Sequence, residues 1–168
     1  MIHVCSLARL HETVAETGAS HVVTLIKDIS LVSRPERIAP ENHLMLDMDD
    51  IAQPLDGYVA PAEAHVADLI RFIGAWDRGA PLVVHCYAGI SRSTAGAFVA
   101  ACVLNPQREE RRIAEAIRAA SPTASPNPLI VAHADRMLGR KGRMVAAIAA
   151  IGQGLPVYPA DPFRLALE

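Results

Sequence analysis

The sequence is poor in aromatics, cysteine, net charge and long apolar runs, and each shortage excludes something. Aromatic residues make up 4% of the 168 positions, so Ala, Val, Leu and Ile must fill any core. The three cysteines, Cys5, Cys86 and Cys102, are an odd number without metal-ligand spacing. They argue against a disulfide framework and for a reducing, cytoplasmic setting. A formal net charge of −2, from 16 basic and 18 acidic residues, calls for neither nucleic acid nor an anionic membrane surface as partner. No apolar run approaches the roughly 18 residues of a membrane-spanning helix. The opening "MIHVCSLARL" lacks the basic-then-apolar order of a secretory signal. None of His3, His11, His21, His43, His65 and His133 has ligand spacing, so neither a metal nor another cofactor is expected. Repeats and low-complexity tracts are also missing.

Hydrophobic residues are plentiful, at 51%, and the length suits one domain over residues 1–168. The segment 153–168, with "GLPVYPADPF" and its three prolines, reads as an extended tail. Short β-branched or aliphatic runs at 2–6, 21–26, 43–47 and 81–86 read as strands, several of them two-sided as in a buried parallel sheet. Helices are expected at 6–17, 61–76, 93–104, 108–120, 128–138 and 143–151. The third, "STAGAFVAACVL", is apolar all round and should be central and buried. The charge run "REERR" at Arg108–Arg112 reads as a solvated helix face, and the basic "DRMLGRKGRM" as complementing a helix end. This alternation predicts an α/β fold, a central four- or five-stranded, mostly parallel sheet flanked by helices. Ligands in such sheets bind beyond the carboxyl ends of the strands.

His85 and Cys86 stand at such an end, opening the stretch "HCYAGISRST". A strand, a loop and then a helix make an anion cradle from backbone N–H groups and the helix dipole. The loop Tyr87, Ala88, Gly89, Ile90 and Ser91 would supply those N–H groups, with Gly89 free to adopt a backbone that a side chain forbids. Arg92 offers a bidentate fork to an oxyanion. The same positive field favours thiolate over thiol at Cys86, and a thiolate beneath a bound phosphoryl group is a nucleophile in attack position. His85 can hydrogen-bond to fix the loop, and Ser93 can donate to the sulfur when it departs. Ser91 and Thr94 are expected to satisfy backbone at the helix start.

These residues resemble the His-Cys-x5-Arg-Ser/Thr signature of the cysteine-dependent protein tyrosine phosphatases. The short chain is most similar to their compact, dual-specificity-like branch, in a bacterial-type form. "IRAASPTASPN" resembles a second stretch of that branch, where an arginine and a Pro-Asn pair precede a late helix. The resemblance implies hydrolysis of phosphotyrosine, and of phosphoserine or phosphothreonine as well, through a phosphocysteine on Cys86. It also implies an aspartic acid, on a separate loop some thirty-odd residues upstream, that protonates the leaving oxygen and then activates water. "LMLDMDDIAQPLDGY" offers Asp47, Asp49, Asp50 and Asp56. Asp47 falls inside or at the end of a strand and is set aside. Asp50, which opens the loop, is preferred; Asp49 and then Asp56 follow.

Asn127 precedes Pro128, an N-cap and first-turn pair, and can also border the site and hold the acid loop or a water. Cys5 and Cys102 read as core, with a disulfide to an oxidised Cys86 as the alternative. The loop interior holds no lysine, which favours a phosphorylated protein or small aryl phosphate over polyanionic ligands. Two other readings remain open: a non-catalytic phosphate-recognition module, and a sulfurtransferase or arsenate reductase working through the loop cysteine.

Overall fold

The computed structural model describes residues 1–167. Five strands form one sheet: β1 (Ile2–Ser6), β2 (His21–Leu25), β3 (His43–Leu46), β4 (Leu82–Cys86) and β5 (Phe163–Leu165), in the order β3-β2-β4-β1-β5. The first four are parallel, and β5 pairs antiparallel with β1. The predicted α/β class and mostly parallel sheet are what the chain forms. β5 places part of the C-terminal segment in the sheet, where an extended tail is the sequence expectation.

Among the described residues the α-helices are α1 (Leu10–Thr17), α2 (Glu63–Ala75), α3 (Arg92–Leu104), α4 (Glu110–Ala120), α5 (Pro128–Met137) and α6 (Arg143–Ile151). They divide unevenly. α1 covers one face of the sheet over a small core with Leu10, Val14, Val22 and Val83. The larger core on the other face draws on α2 to α6. Alternate residues of a strand point to opposite faces, so Val83 faces the small core while Leu82 and Val84 face the large one. β4, at the middle of the sheet, is buried along its whole length. α3 is buried from Arg92 through Cys102, as its all-round apolar sequence requires. Among the described residues, no helix is long and apolar enough to cross a membrane.

Two surface assignments are corrected. Glu110 in the charge run is buried (3% exposed), not solvated. It receives Arg140 Nη1 at 3.1 Å and Arg143 Nη2 at 3.0 Å. Those arginines, from the segment expected to complement a helix end, instead tie α4 to α6, and Arg140 also donates to the carbonyls of Cys102 and Pro106. A buried carboxylate needs such partners, and the needed cations come from a distant part of the chain.

Candidate active site

β4 delivers Cys86 to the carboxyl edge of the sheet, and α3 begins six residues later at Arg92. The loop between them has its carbonyls turned outward. Tyr87 O accepts from Leu7 N (3.2 Å), Ala88 O from Ala160 N (3.0 Å), Ile90 O from Ser125 N (3.0 Å) and Ser91 O from Asn127 N (3.2 Å). With these four carbonyls engaged outside, the loop is free to turn N–H groups inward. Gly89 N–H donates to Cys86 Sγ at 3.3 Å. Gly89 has φ +77°, and a Cβ there would stand 3.0 Å from both Cys5 C and Ser6 N. The loop is therefore pressed against the end of β1, and a side chain at that point would strain the backbone and force a neighbour to shift. The N-terminus of α3 adds its dipole to this cradle.

The side chains expected at the site converge. Cys86 Sγ lies 3.1 Å from Ser93 Oγ. Arg92 is buried (7% exposed), donates from Nη1 to Met48 O at 2.7 Å, and has its Nε 3.8 Å from Asp50 Oδ2. Among the described residues that Nε has no hydrogen-bond acceptor, so a buried cationic donor is left for an incoming oxyanion. Asp50 Oδ1 accepts from Ser91 Oγ at 2.7 Å and from Asn127 Nδ2 at 2.9 Å.

The aspartates separate by position. Asp49 closes the base of the loop that Asp50 opens: its N–H donates to Val59 O (2.8 Å) and its Oδ2 accepts from Val59 N (2.7 Å). Asp56 lies on the exposed part of that loop. Asp47, just past β3, faces Lys27 Nζ at 3.3 Å. Ser91 departs from expectation. Its hydroxyl makes no cap bond to α3 because Asp50 takes it. Thr94 satisfies backbone as expected, donating to Ile90 O and Ser91 O. Asn127 serves both roles the sequence offers. Its Oδ1 accepts from Leu129 N and Ile130 N to cap α5, while its Nδ2 also reaches Ile51 O at 3.1 Å.

His85 is fully buried, and its Nε2 lies 2.6 Å from Thr24 Oγ1, which in turn lies 2.8 Å from His43 Nε2. A hydroxyl has one hydrogen, so Thr24 donates to one imidazole and accepts from the other. Burial pushes His85 down to about 3 and His43 to about 4, so both are neutral at pH 7. Thr24 is the residue that sequence reasoning missed. Cys5 and Cys102 are free, buried core residues, and burial pushes both thiols up to about 12. Among the described residues, no group of three or more His, Cys, Asp or Glu side chains could hold a metal ion.

Comparison with known proteins bears on the family and the fold. The model of the Tc-R-P family, described as a polymorphic toxin system DSP-PTPase phosphatase, matches residues 5–108. The solved structure of DUSP15 is similar with a TM-score of 0.65 and 20% identity, over 89% of each chain. Human DUSP28 gives 0.63 at 18% identity, over 83% of this chain and 92% of that one. PTPMT1, solved in complex with PI(5)P, gives 0.63 at 15% identity over 89% and 93%. Identities this low speak for a shared fold. No curated protein matches the sequence.

Proposed function

The chain belongs to the Tc-R-P family of polymorphic-toxin DSP-PTPase phosphatases, and from that premise we propose a phosphomonoesterase that acts on phosphotyrosine, and on phosphoserine and phosphothreonine, through a phosphocysteine on Cys86. The observation that carries this is the meeting of Cys86, Ser93, Arg92 and Asp50 at one cradle, from two segments of chain.

In the first step the Cys86 thiolate attacks phosphorus. The loop N–H groups and the Arg92 guanidinium bind the equatorial oxygens, whose charge they stabilise in the transition state. Asp50, protonated, gives its proton to the ester oxygen as the P–O bond breaks. In the second step Asp50 takes a proton from water, which attacks the phosphocysteine. Ser93 Oγ, 3.1 Å from the sulfur, donates to the departing thiolate. Asn127 and Ser91 hold the Asp50 carboxyl at the cradle's edge. These groups supply the charge stabilisation and proton transfers, and the chemistry calls on no metal. His85 and Thr24 brace the floor beneath Cys86.

A single domain over residues 1–168 is supported by Ala160, whose N–H donates to Ala88 O of the cradle loop. The substrate is a phosphorylated protein or a small aryl phosphate. The family's description supports a phosphatase that works within a polymorphic toxin system. The free cysteines fit action in a reducing cytoplasm.

A pH–rate profile of aryl phosphate hydrolysis tests the mechanism in wild type, Cys86→Ser, Asp50→Ala and Asp49→Ala. Cys86→Ser should abolish turnover and keep vanadate binding. Asp50→Ala should lower kcat by about 10²-fold or more, and Asp49→Ala less, through a loosened loop. Turnover surviving in Cys86→Ser overturns the mechanism. Wild type that binds phosphopeptide without hydrolysing it is a recognition module instead.

A further inference from the structure

Beside the cradle, a hollow of about 470 Å³ opens between the Asp50 loop, the 125–128 turn and α6. Asp50 and Ser91 form the wall shared with the phosphate site; Val145 and Ala149 of α6, with Pro126 and Pro128, form the far side. Its volume lies in the range of ligand pockets. Asp50 is the one charged side chain that lines it.

The far wall is fixed from behind. Asp135 accepts from Gly142 N at 2.6 Å and Met144 N at 2.7 Å, at the start of α6. Arg118 donates to Ile151 O at 2.6 Å and Gly152 O at 2.9 Å, at its end, and to Ala124 O at 2.6 Å. Both ends of α6 are therefore held, and Val145 and Ala149 remain exposed toward the hollow.

We propose that this hollow is the leaving-group subsite: it takes an uncharged, apolar group carried on the ester oxygen and selects bulky apolar monophosphoesters over polyanionic ones. The proposal rests on the phosphomonoesterase function above. An ester oxygen must touch both the phosphorus in the cradle and the Asp50 carboxyl. The hollow adjoins the carboxyl that this oxygen must touch, so the group beyond the oxygen has the hollow beside it. An apolar group there is removed from water against Val145, Ala149 and the prolines. A second phosphate there would find no lining cation to offset its charge.

The test compares 1-naphthyl phosphate with phenyl phosphate in wild type and Ala149→Trp, with folding checked by thermal melting. A tryptophan on this exposed helix position fills the hollow from its rim. The preference in kcat/KM for naphthyl over phenyl phosphate should fall about tenfold, while the vanadate inhibition constant stays constant. A preference unchanged by the substitution overturns the proposal. Should Ala149→Trp fail to fold, Val145→Lys serves, with a rise in affinity for a phenylene bisphosphate as its expected result and no rise as the refutation. Binding of naphthyl- and methylphosphonate to Cys86→Ser separates the two claims. Tighter binding of the naphthyl compound supports the subsite even where wild type shows no turnover. Equal binding refutes it even where turnover is present.

Discussion

Replacing Gly89 with alanine should damage the protein in one of two measurable ways. The residue has φ +77°, and its added Cβ would meet Cys5 C and Ser6 N at 3.0 Å and Cys5 O at 3.2 Å. The left-handed backbone costs alanine ~1–2 kcal/mol. Overpacking against backbone that is paired into a sheet costs ~1–3 kcal/mol more. Together these reach ~2–5 kcal/mol, a large share of a domain's usual ~5–15 kcal/mol. Gly57 supplies the control. It has φ +82° with nothing within 4 Å of its added Cβ, so Gly57→Ala carries only the backbone penalty of ~1–2 kcal/mol. Urea unfolding of both variants isolates the steric part. If β1 holds its place, the loop must shift instead, and the N–H aimed at Cys86 Sγ shifts with it. The stability loss is then smaller and vanadate affinity falls. Each variant is therefore measured for both unfolding free energy and vanadate binding. Gly89→Ala matching Gly57→Ala in stability while keeping wild-type vanadate affinity would refute the packing assigned to the loop.

Asn127→Ser should keep an N-cap for α5 but lose the reach to Asp50, leaving stability near wild type while changing the Asp50-dependent limb of the pH–rate profile; Asn127→Ala should lose a further ~1 kcal/mol in thermal or urea unfolding. His85 is held near 3 in the folded protein, below its ordinary 6.5, chiefly by burial, so the unfolded chain binds more protons between those values. The stability from its neutral form is complete above pH 6.5 and drains as pH falls, by ~2 kcal/mol at pH 5. Urea midpoints at pH 7 and pH 5 should differ less in His85→Gln than in wild type. All three cysteines are buried, but Cys86 alone forms the floor of the cradle while the Cys5 and Cys102 thiols are pushed up to about 12, so iodoacetamide should label Cys86 first in the native protein, with vanadate protecting it; mass spectrometry showing Cys5 or Cys102 modified first would contradict this.

The sheet and the loop from Cys86 to Arg92 are legible in the sequence because their signals are local. β4 and the run that follows it carry apolar pattern, glycine, cysteine and arginine within a dozen residues. What escapes is decided by register and by distant returns of the chain. Thr24 looks like any strand threonine, and only the β2–β4 register, which sets it opposite His85, makes it that histidine's partner. Ser91 has a good N-cap composition, yet Asp50, 41 residues earlier in the chain, takes its hydroxyl. Asp49 and Asp50 are neighbours with the same side chain, but one turns to Val59 and the other to the cradle. Glu110 sits in a run of charge, and arginines at 140 and 143 make its burial possible. β5 is three residues long, too short for a periodicity to show.

The outward carbonyls of the phosphate loop tie the appearance of the site to the order in which the chain is made. Their donors come from the end of β1, from the turn before α5 and from Ala160. On a ribosome, Cys86 and Arg92 emerge well before Ser125, Asn127 and Ala160, so the nascent chain carries the whole signature motif while most of the loop's outer hydrogen bonds still lack their donors. The loop's outer scaffold is then completed only once the chain through Ala160 is available, long after Cys86 and Arg92 themselves.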